Sequence, residues 1–227
     1  MFLDLNYLIY MLPAVVLALI AQVVVKRRFN KFGKILNSRG MTGAEAARAI
    51  LLANGIGYVQ VLPVSGTLTD HYDPKEQVIR LSGDVYGSAS VSAVGVAAHE
   101  AGHAVQHAEN YGPLGLREAI LPVCNIGSRI APYLILLGIV FSITELYMVG
   151  VFGFILVAFF QLVTLPVEFN ASRRAMRALA DTVGMTTEDT RGIRKVLTAA
   201  AMTYVAALFT SLMQILYYLS RVNRRRD

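Results

Sequence analysis

Three uncharged stretches of this chain are each long enough to cross a lipid bilayer, and they limit its fold more than any other feature. A spanning helix needs about 20 mostly apolar residues, because lipid offers no partner for a backbone N–H or C=O and the helix must satisfy them all itself. Residues 8–25 meet that description and end abruptly at Lys26, Arg27 and Arg28; residues 147–167 and 197–219 form the second and third runs. A fourth is shorter. Residues 130–143 are apolar, but extending the segment back to Ala119 takes in Arg129, and an arginine at membrane depth needs a partner or a route to the interface. This helix is therefore expected to begin within protein rather than lipid. The composition agrees, since 55% hydrophobic and 16% charged residues is more apolar than an ordinary soluble core requires.

The first run is not a secretory signal, because its positive charges follow the apolar segment and no small-residue cleavage pattern precedes Lys26. It reads as a retained anchor. Positive charge favours the cytoplasmic side, which predicts that residues 26–34 lie in the cytoplasm. The net charge of +6 is gathered at the ends of the apolar runs, in residues 26–34, 173–177, 191–195 and 221–226. That distribution suits membrane lipid headgroups and argues against a nucleic-acid partner. One cysteine, Cys124, excludes an intramolecular disulfide and any multi-cysteine zinc site; it reads as a small packing residue.

Only residues 26–117 are polar enough for an aqueous domain. Thr42 and Glu45, three apart, form a capping-box pattern that opens a short helix closed at Gly55. Residues 58–63 and 77–82 read as strands separated by turn-rich residues 65–74, and residues 91–110 as a helix stopped by Gly112 and Pro113. Two strands need helical cover, so the class is α+β, predominantly helical. Residues 77–82 read as an ordinary structural strand; an exposed edge there would instead pair with an extended substrate.

Within that domain stands His99-Glu100-Ala101-Gly102-His103. Histidines at i and i+4 share one helix face, close enough for both imidazoles to reach one zinc ion, while the adjacent glutamate approaches the ion's water as general base. A catalytic zinc site usually takes three protein ligands. His107 lies about 12 Å along the helix from His99 and cannot share that ion. Glu168 follows a membrane hairpin, residues 119–167, that leaves and re-enters on one side, which returns its carboxylate to the depth of the histidine helix. Pro166 just before it permits a kink. Glu168 is favoured as the third ligand over a membrane-interface carboxylate paired with Arg173 or Arg174, and Glu118 and His71 remain open as alternatives.

These residues bring the chain close to a known family. Thr69-Asp70-His71-Tyr72-Asp73-Pro74, residues 78–82, residues 96–106 around the histidine motif and residues 165–174 resemble the membrane-bound neutral zinc metallopeptidases of the YugP type and, more distantly, the HtpX and CAAX-prenyl endopeptidases. The resemblance runs over most of the chain. It implies a zincin-like catalytic domain, zinc (Zn2+) held by His99, His103 and Glu168, Glu100 as catalytic base, and a protein or peptide substrate. In HtpX-like relatives the third-ligand glutamate is followed three residues later by alanine and then aspartate. Glu168 and Ala171 match; Ser172 stands in the aspartate position, so Asn170 or Ser172 is expected to orient a ligand instead. No histidine lies beyond His107, and the oxyanion donor stays open among Asn170, Arg173, Arg174 and Tyr204.

The expected organisation is an anchor in residues 1–25, a cytoplasmic catalytic domain in 26–118, a transmembrane hairpin in 119–167, a third-ligand segment in 168–196, and a last span with its basic tail in 197–227. Basic residues flank the last span on both sides, leaving its direction open. Two alternatives compete with a surface peptidase. An intramembrane zinc protease would need its histidines inside a span, yet only eight residues, mostly apolar, precede His99. A non-catalytic zinc scaffold would have no need of Glu100.

Overall fold

A computed structural model describes residues 5–223. The elements run α1 (Leu5–Phe32), α2 (Gly43–Ala53), β1 (Gln60–Val64), β2 (His71–Asp73), β3 (Val78–Ser82), α3 (Gly83–Tyr86), α4 (Val91–Ala108), α5 (Gly112–Val140), α6 (Thr144–Asp181) and α7 (Thr187–Asn223). The protein is a predominantly helical α+β fold in which α1, α5, α6 and α7 are long and apolar enough to cross a membrane. The chain forms two compact units. One comprises the described residues up to Gln22, Gly115–Pro166 and the described residues from Met202 onward; the other comprises Val23–Leu114 and Val167–Ala201.

The first unit is all helical. Its α5 and α6 are joined through residues 141–143, with Ser142 at φ 56°, so the turn falls just before Thr144 and Glu145, which open α6. The helices pack through small residues. A Cβ on Gly138 would come within 2.6 Å of the Tyr147 backbone nitrogen, and one on Gly150 within 2.9 Å of the Ala131 carbonyl. Close backbone approach of this kind holds helices together where apolar side chains gain nothing by leaving lipid. Cys124 is buried and its Sγ lies 3.4 Å from the Leu156 carbonyl oxygen. Arg129 sits in the middle of a continuous α5 and is exposed, so this helix begins at Gly112–Pro113 and not beyond the arginine. Proline suits that first turn, where its missing N–H has no helical partner. The direction of α7, open from sequence, is fixed within this unit. Tyr217 packs against Tyr7 of α1 with ring centroids 5.0 Å apart, and the Tyr147 hydroxyl donates to the Tyr218 carbonyl at 2.8 Å. The end of α7 therefore lies beside the starts of α1 and α6.

The second unit carries the sheet. Its strand order is β1-β3-β2, with β1 parallel and β2 antiparallel to β3. The central strand is thus the one over residues 78–82, an ordinary structural strand with no free edge. Sequence patterning missed β2, a three-residue strand inside the stretch read as turns. Asp70 anchors it: the Ser82 N–H and hydroxyl both donate to its carboxylate, at 2.8 and 3.1 Å. Helix α2 begins on the expected capping box, in which the Thr42 N–H donates to the Glu45 carboxylate at 2.7 Å and the Glu45 N–H to the Thr42 hydroxyl at 3.3 Å.

Helix α4 is the axis of this unit. Ala93, Val94, Ala97, Ala98, Ala101 and Ala104 are buried in a core shared with Ile50 and Leu51 of α2, Ile79 and Leu81 of β3, and Leu179 of α6. Alanine on several faces lets neighbours approach closely, and glycine goes further. A Cβ at Gly95 would lie 2.9 Å from the Ile193 side chain of α7, and one at Gly102 only 2.6 Å from the Ala171 backbone oxygen of α6. Glycine inside a helix costs about 1 kcal/mol relative to alanine. At Gly102 that sacrifice sets the spacing between the histidine helix and α6.

Candidate metal centre

The contact at Gly102 brings Glu168, one turn before Ala171 on α6, beside the histidines of α4. His99 Nε2 lies 3.2 Å and His103 Nε2 3.5 Å from the same Glu168 oxygen, Oε2. The two imidazoles meet edge to face with centroids 4.7 Å apart. Glu168 is 2% exposed. Its burial opposes the charge, but hydrogen bonds and charge from His103 and His99 hold the carboxyl well below the usual carboxylate range. Burial likewise opposes charge on His103, and Glu168, Glu100 and Gln106 outweigh it, raising the histidine above its ordinary value.

Among the described residues, His99, His103 and Glu168 are the group of histidine, cysteine or carboxylate side chains that could hold a metal ion, with donor atoms all within 4.8 Å of one another. Two imidazole nitrogens and a carboxylate oxygen make a recognised zinc donor set. Ligands at about 2.0–2.2 Å in a tetrahedral shell stand roughly 3.4 Å apart, which the 3.2 and 3.5 Å separations match. Were zinc held by these three groups, a fourth position would remain for water.

The remaining sequence candidates are otherwise engaged. His71 is exposed, with Nδ1 2.8 Å from the Thr69 carbonyl oxygen. His107 turns toward the sheet, its Nδ1 3.0 Å from the Tyr72 hydroxyl. Glu118 joins no such donor group. Arg174 is not the partner of Glu168; its guanidinium pairs with Glu109 at 2.7 Å and donates to Asn170 Oδ1 at 2.7 Å. Glu100 is buried beside the histidines on α4, and Ser172 Oγ lies 3.2 Å from His99 Nδ1. The residue that sequence reasoning passed over is Gln106, fully buried, with its side-chain oxygen 3.0 Å from His103 Nδ1. Its position three after His103, one turn along the same face, was the available signal.

A family profile described as "Putative neutral zinc metallopeptidase" matches residues 7–223. The chain belongs to this family. It is also 49% identical over 207 residues to a protein of Bacillus subtilis (strain 168) named "Putative membrane protease YugP", covering 91% of this chain and 92% of that relative. No solved structure gives a significant match. The family's name carries zinc and the relative's name a membrane, in agreement with a buried two-histidine, one-carboxylate cluster and four long apolar helices.

Proposed function

We propose that the protein is a membrane-bound zinc endopeptidase that cuts protein or peptide substrates, with His99, His103 and Glu168 as ligands and Glu100 as general base. The convergence of the three donor groups on one point, carried by two different helices, is the observation that supports it most. When bound there, zinc supplies Lewis acidity toward a water molecule and the scissile carbonyl. Glu100 takes the proton of the attacking water and delivers it to the leaving amine, the role a glutamate next to the first histidine is placed to perform. Burial of Glu100 keeps bulk water from competing for that proton. The intramembrane alternative has less support, since α4 is not one of the four long apolar helices, and a structural zinc site would not need Glu100.

The test separates base from ligand. Glu100→Gln keeps stoichiometric zinc and the fold but loses casein-type proteolysis, because the amide preserves shape and accepts no proton. Glu168→Ala loses zinc while still eluting as an intact, monodisperse protein. Near-normal turnover by Glu100→Gln, or unchanged zinc affinity in a folded Glu168→Ala, would each defeat the assignment. The catalytic unit is further proposed to face the cytoplasm, following the charges of residues 26–34, with lipid around the apolar helices and no nucleic-acid partner. Cysteine introduced at exposed Lys75 should resist an impermeant reagent added to intact cells; efficient labelling would reverse the orientation.

A further inference from the structure

Behind His103 runs a chain of hydrogen bonds whose donors and acceptors admit one arrangement. The side-chain nitrogen of Gln106 lies 2.9 Å from the Val167 backbone oxygen and 2.9 Å from Asn170 Oδ1. A backbone carbonyl only accepts, so the amide NH2 must face it. Asn170 Oδ1 is fixed by the same logic, because it receives the Arg174 Nε–H, a donor that cannot accept. The Gln106 oxygen is then the atom turned toward His103 Nδ1, at 3.0 Å, and an oxygen with no hydrogen requires an N–H opposite. The Gln106 oxygen therefore favours the Nδ1–H form of neutral His103, which leaves the Nε2 lone pair free for a cation held between it and Glu168.

We infer that Gln106 is a positioning residue that sets the tautomer and ring orientation of His103 for metal binding, held in turn by Val167, Asn170 and the Arg174–Glu109 pair. The two histidines differ in this respect. Behind His99 stands a serine hydroxyl, which donates or accepts and so imposes no tautomer. Behind His103 stands an amide whose two N–H groups are already engaged. Gln106 has no exposure, so water does not substitute for it. Glu109 lies at the surface end of the chain, half exposed, where its removal is absorbed by solvent.

This inference rests on reading the three-residue cluster as a metal centre, and its test is arranged so that the two fail separately. The tautomer is read by nitrogen NMR of histidine-labelled, metal-free protein, at a pH high enough to leave His103 neutral. The wild type is expected to show the Nδ1–H form, and zinc affinity by chelator competition to fall about ten- to hundredfold in Gln106→Met, the usual loss when a ligand's orienting partner is removed. Gln106→Glu retains an acceptor for Nδ1–H and is expected to keep the tautomer, whereas Gln106→Met loses it; a merely structural role would lower stability in both and shift the tautomer in neither. Glu109→Ala is expected to keep zinc affinity within about twofold of wild type. A wild type that binds zinc but shows His103 as Nε2–H, or as a mixture, overturns the inference, and that reading needs no variant to fold. Unchanged zinc affinity in a folded Gln106→Met also overturns it. A wild type that binds no zinc overturns the metal-centre reading instead.

Discussion

Up to Leu162, α6 turns many large side chains outward: Met148, Val149, Phe152, Ile155, Phe159 and Leu162 are exposed, while Tyr147, Val151 and Phe154 are buried and Gly150 and Gly153 face α5. Past Pro166 the same helix reverses this arrangement. Val167, Ala171, Ala175 and Leu179 are completely enclosed, and Arg173 and Arg177 are exposed. The helix runs unbroken through Pro166, so backbone geometry does not account for the change. The surroundings do. In lipid an apolar side chain gains nothing by turning inward, and association depends on close backbone contact; in water the apolar stripe must be covered and charge stays outside. Glu168 begins the second regime and is the one charged residue in its inward stripe, a placement that is costly unless opposite charge meets it.

The most direct test of this contrast is Gly102→Val. A Cβ there already lies too close to the Ala171 backbone, and a backbone atom yields less readily than a side chain. The expected result is loss of stoichiometric zinc together with a stability loss of about 1–3 kcal/mol or more. Wild-type zinc affinity at an unchanged melting temperature would show that α6 does not depend on that approach. A paired truncation probes the two halves directly. Leu179→Ala empties a fully buried position and should cost about 2–5 kcal/mol, whereas Phe152→Ala on the outer face should remain within about 0.5 kcal/mol in detergent. Equal losses in chemical unfolding would erase the distinction.

A pH-dependent effect is expected of Asp189 at the start of α7. The Ser38 N–H and the Thr186 hydroxyl donate to its carboxylate at 3.1 and 2.8 Å, and the Ser38 hydroxyl joins them. Burial opposes its charge, but these hydrogen bonds win and its pKa is lowered. A depressed folded value means a stabilising contribution fully present above the unfolded pKa, about 3.9, and lost as pH falls through the folded one. Asp189→Ala should therefore cost about 1–2 kcal/mol at neutral pH and lose less stability than wild type on acidification. Melting curves that stay parallel from neutral to acid would refute it.

Much of this was legible because it is local. A spanning segment declares itself by twenty apolar residues, the α2 start by Thr42 and Glu45, and the metal motif by two histidines four apart. Chain direction suggested the return of Glu168, and the family resemblance singled it out. What escaped depended on neighbours distant in sequence. The β2 strand has three residues and exists through its pairing with β3. Gly102 shows its role only where the backbone of α6 is set against it. Gln106, a polar residue on a helix, gives no sign of burial until Val167 and Asn170 arrive to satisfy its amide.

His99 and Glu168 stand 69 residues apart in the chain, and all of α5 and the apolar half of α6 lie between them. An ion shared by the two would therefore act as a cross-link closing a long loop, and closures of that length restrict the unfolded chain more than short ones do. Metal loss then has a mechanical meaning beyond chemistry. Were such an ion lost, α6 would be untied from α4 at Glu168, leaving Gly102 and its neighbours to hold the two helices.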